Sequence, residues 1–224
     1  MAVLKVSGIL DQVTGDALEL AAARCLSAQP EALLIDVDEM EIADPLGLAA
    51  LRSMVCRTAE WPAVPVVLCG APAEGVQAVT DCPEITAAAN CAAALERIAA
   101  EPEPRRIRVR LRPVPDACRQ ARQLVTQACG AWQRTEIAAT AALVATELVA
   151  NVVRHAHTTM EFTVALRNGR MCLTVRDGSR LLPRPADPGV ADAGGRGLRL
   201  VRELTESWGV LPVVDGKVVW THLA

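Results

Sequence analysis

The segment from Glu136 to His157 is rich in Ala, Leu and Val and contains no Gly or Pro, so it predicts one long helix. Two polar residues, Glu147 and Asn151, interrupt it. Because they are four residues apart, their side chains project from the same face of the helix, one turn above the other. A carboxylate and a carboxamide flanked by Leu and Val are costly to bury unless they bind something. This face is therefore either exposed to solvent or part of a binding site.

Two later motifs favour the binding site. The sequence VRDGS at residues 175–179 follows an apolar strand and places Asp177 and Gly178 in a predicted turn. The sequence GGRGLRLV at residues 194–201 places glycines at the start of another predicted helix. The chain therefore presents, in order, an acidic box on a helix, an Asp-Gly turn and a glycine-rich helix start.

This order of motifs resembles the GHKL superfamily of ATP-binding folds. The sequence ELVANVVRHAH, residues 147–157, is most similar to the anti-sigma factor serine/threonine kinases within that superfamily. The resemblance covers roughly residues 105–224. It implies a Bergerat-type α/β sandwich with a lid over the nucleotide, and it implies ATP and Mg²⁺ as cofactors.

The resemblance also implies a role for each motif residue. Asn151 would offer its amide oxygen to the Mg²⁺ ion, and Glu147 would be the catalytic residue that accepts a proton from an attacking hydroxyl or orients a water. Asp177, with Gly178 beside it, would accept a hydrogen bond from the exocyclic amine of adenine. The residues that would contact the phosphates, the glycines through backbone N–H groups and the arginine through its charge, are Gly194, Gly195, Arg196 and Gly197.

Three positions depart from the family pattern. Ser179 and Leu181 occupy two positions where the family usually has glycine, so we expect less room behind the adenine. A threonine that often helps to hold adenine in the last strand would fall near Val218. These changes are expected to lower the affinity for ATP without affecting Glu147 or Asn151.

The composition excludes several classes of protein. Hydrophobic residues make up 51% of the chain and aromatic residues 2%, so its cores must be built from Ala, Val and Leu. The net charge of −3 argues against a general nucleic-acid or anionic-membrane surface. No uninterrupted run approaches the roughly 18 apolar residues of a membrane span, and the N-terminal residues lack the pattern of a secretory signal. We therefore expect a cytoplasmic protein with no direct nucleic-acid or membrane partner.

The eight cysteines lie mostly in apolar stretches and form no C-x-x-C pair. This pattern is typical of buried thiols in a reducing compartment rather than of disulfides or a zinc site.

From Val3 to about Ala99, predicted strands alternate with predicted helices, which is typical of a sheet with covering helices. The order and lengths resemble the STAS domain of anti-sigma factor antagonists, and the signature is IDVDEMEIADPLGLAAL at residues 35–51. In that family a pair of serines follows the aspartate, and one of them is phosphorylated. Here Asp44 and Pro45 can still begin a helix, but Leu46 removes the phosphate acceptor.

We therefore expect an α/β and α+β protein of two domains. Residues 1–100 would form a STAS-like domain without the phosphoacceptor Ser, and residues 106–224 a GHKL-type kinase-like domain. The proline- and glutamate-rich residues 101–105 would be the linker. The proline-rich segment 178–195 is expected to be a lid or to be disordered.

The second predicted domain opens with RRIRVRLRP at residues 105–113, which predicts a half-buried strand with one basic face. Such a strand is either an edge strand protected by charge or a docking face for an acidic partner. A nucleic-acid surface is a weaker interpretation, because no aromatic residues are interleaved for stacking.

Together the two resemblances imply an ATP-binding regulator that transfers the γ-phosphoryl group to a Ser or Thr of a separate STAS antagonist protein, with a sigma factor as a further partner. The fused STAS-like domain would be a docking or inhibitory module, and a homodimer is compatible with this organisation. One alternative is a non-catalytic pseudokinase or adaptor that sequesters partners. Another is a GHKL ATPase or histidine kinase, although no helical hairpin with a phosphoacceptor His precedes the acidic box.

Overall fold

The computed structural model describes residues 1–28, 30–59, 64–71, 85–100, 105–167, 169–182 and 196–224. The chain divides into two compact units, Met1–Glu103 and Pro104–Ala224. Each unit contains one β-sheet with helices, so the mixed α/β architecture with two sheets is as predicted. Most of the predicted linker, residues 101–104, lies outside the described residues.

The sheet of the first unit is parallel, as expected when strands alternate with helices. Its described strands, in order across the sheet, are β1 (Ala2–Leu10), β2 (Leu33–Ile42), β3 (Val66–Cys69) and β4 (Ile85–Ala88). Its described helices are α1 (Gln12–Ser27), α2 (Pro45–Ala59) and α3 (Cys91–Ala100). Residues 33–35 of β2 are fully buried, because a central parallel strand is covered on both faces.

The start of α2 keeps the geometry that the sequence predicts. Asp44 accepts a hydrogen bond from the Gly47 N–H at 2.8 Å and so caps the helix. Gly47 is required there, because an added Cβ would lie 2.2 Å from the carbonyl oxygen of Leu10. Leu46 is 55% exposed in the first turn. The position at which the STAS resemblance implies a phosphoacceptor therefore carries an exposed apolar side chain. The STAS assignment stays a prediction.

The second unit has an antiparallel sheet in the order β5, β6, β7, β9, β8. The strands are β5 (Arg105–Leu111), β6 (Met160–Arg167), β7 (Arg170–Asp177), β8 (Ser207–Val213) and β9 (Gly216–Leu223). The helices are α4 (Asp116–Ala131), α5 (Ala138–Asn151) and α6 (Arg196–Leu204). A short 3₁₀ turn, Thr135–Ile137, precedes α5, and a π turn, Val152–Ala156, follows it.

One face of this sheet forms the core with α4 and α5. Apolar side chains alternate along β5, so that Ile107, Val109 and Leu111 pack on this core, as predicted. From α5, Ala145 and Leu148 are buried in the same cluster. The strand β5 lies at the edge of the sheet. The charged arginines on its other side discourage another strand from pairing with this edge.

The helical stretch Thr135–Ala156 is, within the described part of the chain, the one stretch that is long and apolar enough to cross a membrane. It contains 22 residues and includes α5. A core helix of a soluble protein meets the same criteria, and Val144, Leu148 and Val149 of this stretch are buried in the core of the second unit. The stretch is therefore weak evidence for a membrane span.

Candidate functional site

Glu147, Asn151 and Arg154 share one face at the end of α5. The Glu147 side chain is 26% exposed, and Arg154 Nη2 lies 3.5 Å from Glu147 Oε2. Arg154 also donates from Nε to the carbonyl oxygen of Ala150 at 3.2 Å. Asn151 is half-buried, and its side chain has no hydrogen bond to a described residue. The two polar residues that interrupt the apolar helix are therefore neither fully buried nor turned to bulk water.

The helix changes its pitch directly after Asn151. In the π turn the His157 N–H donates to the carbonyl oxygen of Val152 at 2.9 Å, a bond that spans five residues instead of four. His157 then adopts a left-handed conformation with φ of 53° and ends the helix. Sequence reasoning missed this wider turn, because no Gly or Pro marks it. π turns occur frequently at functional sites, and this one carries Arg154.

Gly197, in the first turn of α6, packs against the same carboxylate. A Cβ added at Gly197 would lie 2.5 Å from Glu147 Oε2 and 3.8 Å from Arg154 Nη2. Only glycine leaves this space, so the carboxylate can approach the N-terminal end of α6. That end carries the positive end of the helix dipole, which favours a negative group. The glycine-rich helix start and the acidic box, distant in the sequence, therefore meet in the structure.

Other predicted phosphate-contacting residues are not described. Gly194, Gly195 and residues 183–195 of the predicted lid lie outside the described residues. Arg196 is the first residue of α6, and its side chain also lies outside the described part of the structure.

Cys118 on α4 is influenced by the same charges. Burial raises the pKa of its thiol, the nearby Arg154 guanidinium opposes this rise, and the Glu147 carboxylate adds to it. The Cys118 thiol beside the acidic box therefore stays protonated at neutral pH, which makes it a poor nucleophile.

Asp177 ends β7 with a fully buried carboxylate. Its Oδ1 lies 2.9 Å from Nζ of Lys217, whose side chain is 3% exposed, and also accepts the Ser179 N–H at 2.8 Å. Its Oδ2 is buried and has no hydrogen-bond partner in the described structure. An unpaired buried carboxylate oxygen is costly, so a donor on a ligand, such as an exocyclic amine, would stabilise it.

Part of the chain is similar to a known family. Residues 111–221 match the family model described as the histidine kinase-like ATPase domain. Among solved structures, the RsbU and RsbW domains of Rv1364c from Mycobacterium tuberculosis match with 16% identity and a TM-score of 0.42. That match covers 53% of this chain and 32% of that chain. The comparison with curated proteins finds no match.

The matched family model implies ATP binding, and the described residues of the candidate site fit ATP. Asp177 Oδ2 is an unused acceptor for the amine of adenine. The Asn151 amide has no competing hydrogen bond within the described residues and is the type of neutral oxygen ligand that suits Mg²⁺. Gly197 lets the N-terminal end of α6 lie against the Glu147 carboxylate and close to Arg154.

Lys217 is a residue of the candidate site that sequence reasoning missed. Antiparallel pairing of β7 with β9 places it opposite Asp177. Gly216 permits this pairing, because an added Cβ would lie 1.8 Å from the Asp177 carbonyl oxygen. Val218, near which the adenine-holding threonine was expected, is fully buried and projects from the opposite face of the sheet. The residue of the last strand that contacts Asp177 is therefore Lys217, and the available signal was the Gly before it.

The two positions that lack the family's glycines have different surroundings. The Ser179 carbonyl oxygen accepts a hydrogen bond from Lys217 Nζ at 3.2 Å, and its N–H donates to Asp177. The backbone of Ser179 thus completes a network around the buried pair. Leu181 is 77% exposed, so its side chain does not fill the space beside Asp177. Gly178 donates its N–H to Thr158 Oγ1 at 3.0 Å.

A cavity of about 300 Å³ lies beside Asp177 and Gly178. Its other lining residues are mostly charged or polar and are Arg110, Thr159, Met160, Glu161, Arg176 and Asp215. Arg176 donates to both carboxylate oxygens of Asp215, which holds the pKa of that carboxyl below its usual range. Glu147 and Gly197 do not line this cavity. It is therefore separate from the space where the acidic box meets α6.

Proposed function

We propose that this chain is an ATP-binding regulator of the anti-sigma factor serine/threonine kinase type. In this proposal the ATPase domain transfers the γ-phosphoryl group of ATP to a Ser or Thr of a separate STAS antagonist protein, and a sigma factor is a second partner. The meeting of Glu147, Arg154 and the N-terminal end of α6 supports it most strongly. This arrangement brings a proton acceptor, a cation and a helix N-terminus to one point, as phosphoryl transfer requires.

Glu147 has the geometry of a general base. Its Oε2 is held by Arg154 at 3.5 Å, while Oε1 has no partner among the described residues. Oε1 can therefore accept the proton of an attacking Ser or Thr hydroxyl as the new bond to the γ-phosphorus forms, while the bond from that phosphorus to the β–γ bridging oxygen breaks and ADP leaves. When bound, Mg²⁺ would neutralise charge on the phosphates, and Asn151 would hold it. Arg154 orients the carboxylate and adds positive charge near the phosphates.

The first unit would not be the phosphate acceptor. The first unit resembles the STAS antagonists, and Leu46 occupies a position where those antagonists have a Ser. Leucine carries no hydroxyl that could accept phosphate. We therefore assign residues 1–100 to a docking or inhibitory role in an unphosphorylatable form. After incubation of the full chain with radiolabelled ATP, phosphate retained on residues 1–100 would contradict this role.

The decisive experiment compares the native chain with Glu147→Gln. With Mg²⁺, ATP and a Ser-containing STAS antagonist, we expect the variant to transfer phosphate roughly 10²–10⁴-fold more slowly, because it removes the general base. ATP affinity, measured by calorimetry, should change little, because the amide keeps the shape of the side chain. Glu206→Gln, which changes an exposed carboxylate paired with Arg170, is the matched control and should transfer at the native rate. Equal transfer by native and Glu147→Gln chains would exclude Glu147 as the base.

A second candidate function is a non-catalytic binder that sequesters its partners. The departures from the family pattern at Ser179, Leu181 and Val218 favour it. This candidate predicts ATP binding without transfer to any STAS antagonist by the native chain. Transfer that depends on Glu147 would exclude it.

A further inference from the structure

The buried pair of Asp177 and Lys217 has one unused acceptor beside one unused donor. Lys217 Nζ has three N–H groups, and two of them are used, by Asp177 Oδ1 at 2.9 Å and by the Ser179 carbonyl oxygen at 3.2 Å. The third has no partner in the described structure. Asp177 Oδ2 is likewise buried without a partner. A ligand that offers an adjacent donor and acceptor would satisfy both groups.

We propose that Lys217 determines the nucleobase specificity of this site, so that it accepts 6-oxopurine nucleotides such as GTP and ITP as well as ATP. This inference rests on the proposed nucleotide site and deepens it. The ammonium of Lys217 and the Oδ2 atom of Asp177 together read the edge of the base.

Both kinds of purine edge match this pair. Adenine has an exocyclic amine, which donates, beside a ring nitrogen, which accepts. Guanine and hypoxanthine have a ring N–H, which donates, beside a carbonyl oxygen, which accepts. In either case the donor meets Asp177 Oδ2 and the acceptor meets Lys217 Nζ, after a shift of the base by about one ring position. No buried polar group of the site is left unpaired with either base, so the usual penalty for the wrong base is absent.

A carboxylate without this ammonium would discriminate against 6-oxopurines. The carbonyl oxygen of guanine would then face a carboxylate oxygen, and two acceptors repel each other. The threonine of the family pattern offers only a neutral hydroxyl, whereas Lys217 offers a charge-assisted hydrogen bond to the carbonyl oxygen. The lysine therefore removes the repulsion that would exclude GTP.

The position of the ammonium is fixed before a ligand binds. Lys217 is 3% exposed, and two acceptors hold its Nζ. The close approach of Gly216 to the Asp177 carbonyl oxygen fixes the register of β9 against β7. Because little freedom is lost on binding, a donor fixed in this way contributes to affinity for any base that has an acceptor at the matching position.

The first test uses the native full chain. Calorimetry with ATP, GTP and ITP in the presence of Mg²⁺ should give dissociation constants for GTP or ITP within about tenfold of that for ATP. ATP binding with both 6-oxopurine nucleotides more than about tenfold weaker would overturn the inference and leave the proposed function intact. If none of the three nucleotides binds, the proposed function itself fails, and the inference fails with it.

The second test assigns the effect to Lys217. Lys217→Thr should weaken GTP and ITP binding relative to ATP by about tenfold or more, because it removes the charged donor. Circular dichroism checks that this variant is folded, since it leaves Asp177 without its cation. Val218→Thr, which places the hydroxyl on the opposite face of the same strand, should keep the native ratio of affinities. A native ratio in folded Lys217→Thr would overturn the role of Lys217.

Discussion

At Gly197 the absence of a side chain makes room for the Glu147 carboxylate, the proposed general base. A Cβ there would lie 2.5 Å from Glu147 Oε2, the movable end of a flexible side chain. We expect Gly197→Ala to displace this carboxylate and to slow phosphoryl transfer at least about tenfold, because small misplacements of a reacting group are costly. Its free energy of unfolding should change by less than about 1 kcal/mol, since alanine also favours the helix.

Thermal unfolding and the transfer assay check these two effects of Gly197→Ala. Gly130→Ala on α4 is the matched control, because a Cβ at Gly130 has open space and should leave transfer unchanged. Transfer at the native rate by Gly197→Ala would show that the position of Glu147 is unimportant.

The buried pair of Asp177 and Lys217 makes a second prediction for single residues. Asp177→Asn leaves the ammonium of Lys217 buried without a counter-charge, so we expect a loss of about 3–5 kcal/mol in the free energy of unfolding. The double variant Asp177→Asn with Lys217→Met should recover most of this loss, because no buried charge remains. Urea unfolding measures both.

Asp215→Asn is the control for this buried pair. It breaks the ion pair with Arg176, but Asp215 is 70% exposed, so the loss should stay below about 1 kcal/mol. Equal losses for Asp177→Asn and Asp215→Asn would contradict the burial of the first pair.

Spacing in the sequence identified Glu147 and Asn151 because residues four apart on a helix always share a face. The Asp-Gly turn identified Asp177. The sequence did not identify Arg154 as a partner of Glu147 or Lys217 as a partner of Asp177. The contact between Arg154 and Glu147 depends on the π turn that carries Arg154. The contact between Lys217 and Asp177 depends on the register between β7 and β9, which is set by tertiary structure.

Among the elements, the hairpin of β8 and β9 depends on one glycine. A Cβ at Gly209 would lie 2.6–2.8 Å from three ring atoms of Trp220, its neighbour across the pair. The indole ring is rigid, so its atoms cannot move apart to make room for a Cβ. We therefore expect Gly209→Ala to lower the free energy of unfolding by about 1–3 kcal/mol through overpacking. Urea unfolding followed by tryptophan fluorescence measures this. Adding Trp220→Leu should relieve part of the loss, and a double variant less stable than the sum of both changes would contradict the steric explanation.

The strands and helices themselves were largely predictable, because apolar alternation and turn residues are local signals. The turn between β8 and β9, for example, contains Asp215, and Gly216 follows it as the first residue of β9. The end of α5 was less predictable. The pattern continues to His157, yet the regular helix ends at Asn151, since the change to a π turn carries no composition signal.

On the scale of the whole molecule, each unit has buried residues of its own. The second unit contains the core that α4 and α5 share with their sheet, and the first contains a separate cluster around Leu34 and Ala94. Two units with separate cores are expected to fold independently. The predicted division into two domains, its boundaries and the STAS-like assignment stay predictions.

All residues of the candidate site lie in the second unit. They are Glu147, Asn151, Asp177, Gly197 and Lys217. We therefore expect a fragment of residues 104–224 to unfold cooperatively and to bind ATP within about threefold of the full chain, whereas residues 1–103 alone bind none. Calorimetry and thermal unfolding of both fragments measure this. The fragment 104–224 carrying Asp177→Asn is the control and should bind ATP more weakly, because the amide would offer a weaker acceptor. A folded fragment that binds no ATP, beside a full chain that does, would show that the first unit contributes to the nucleotide site.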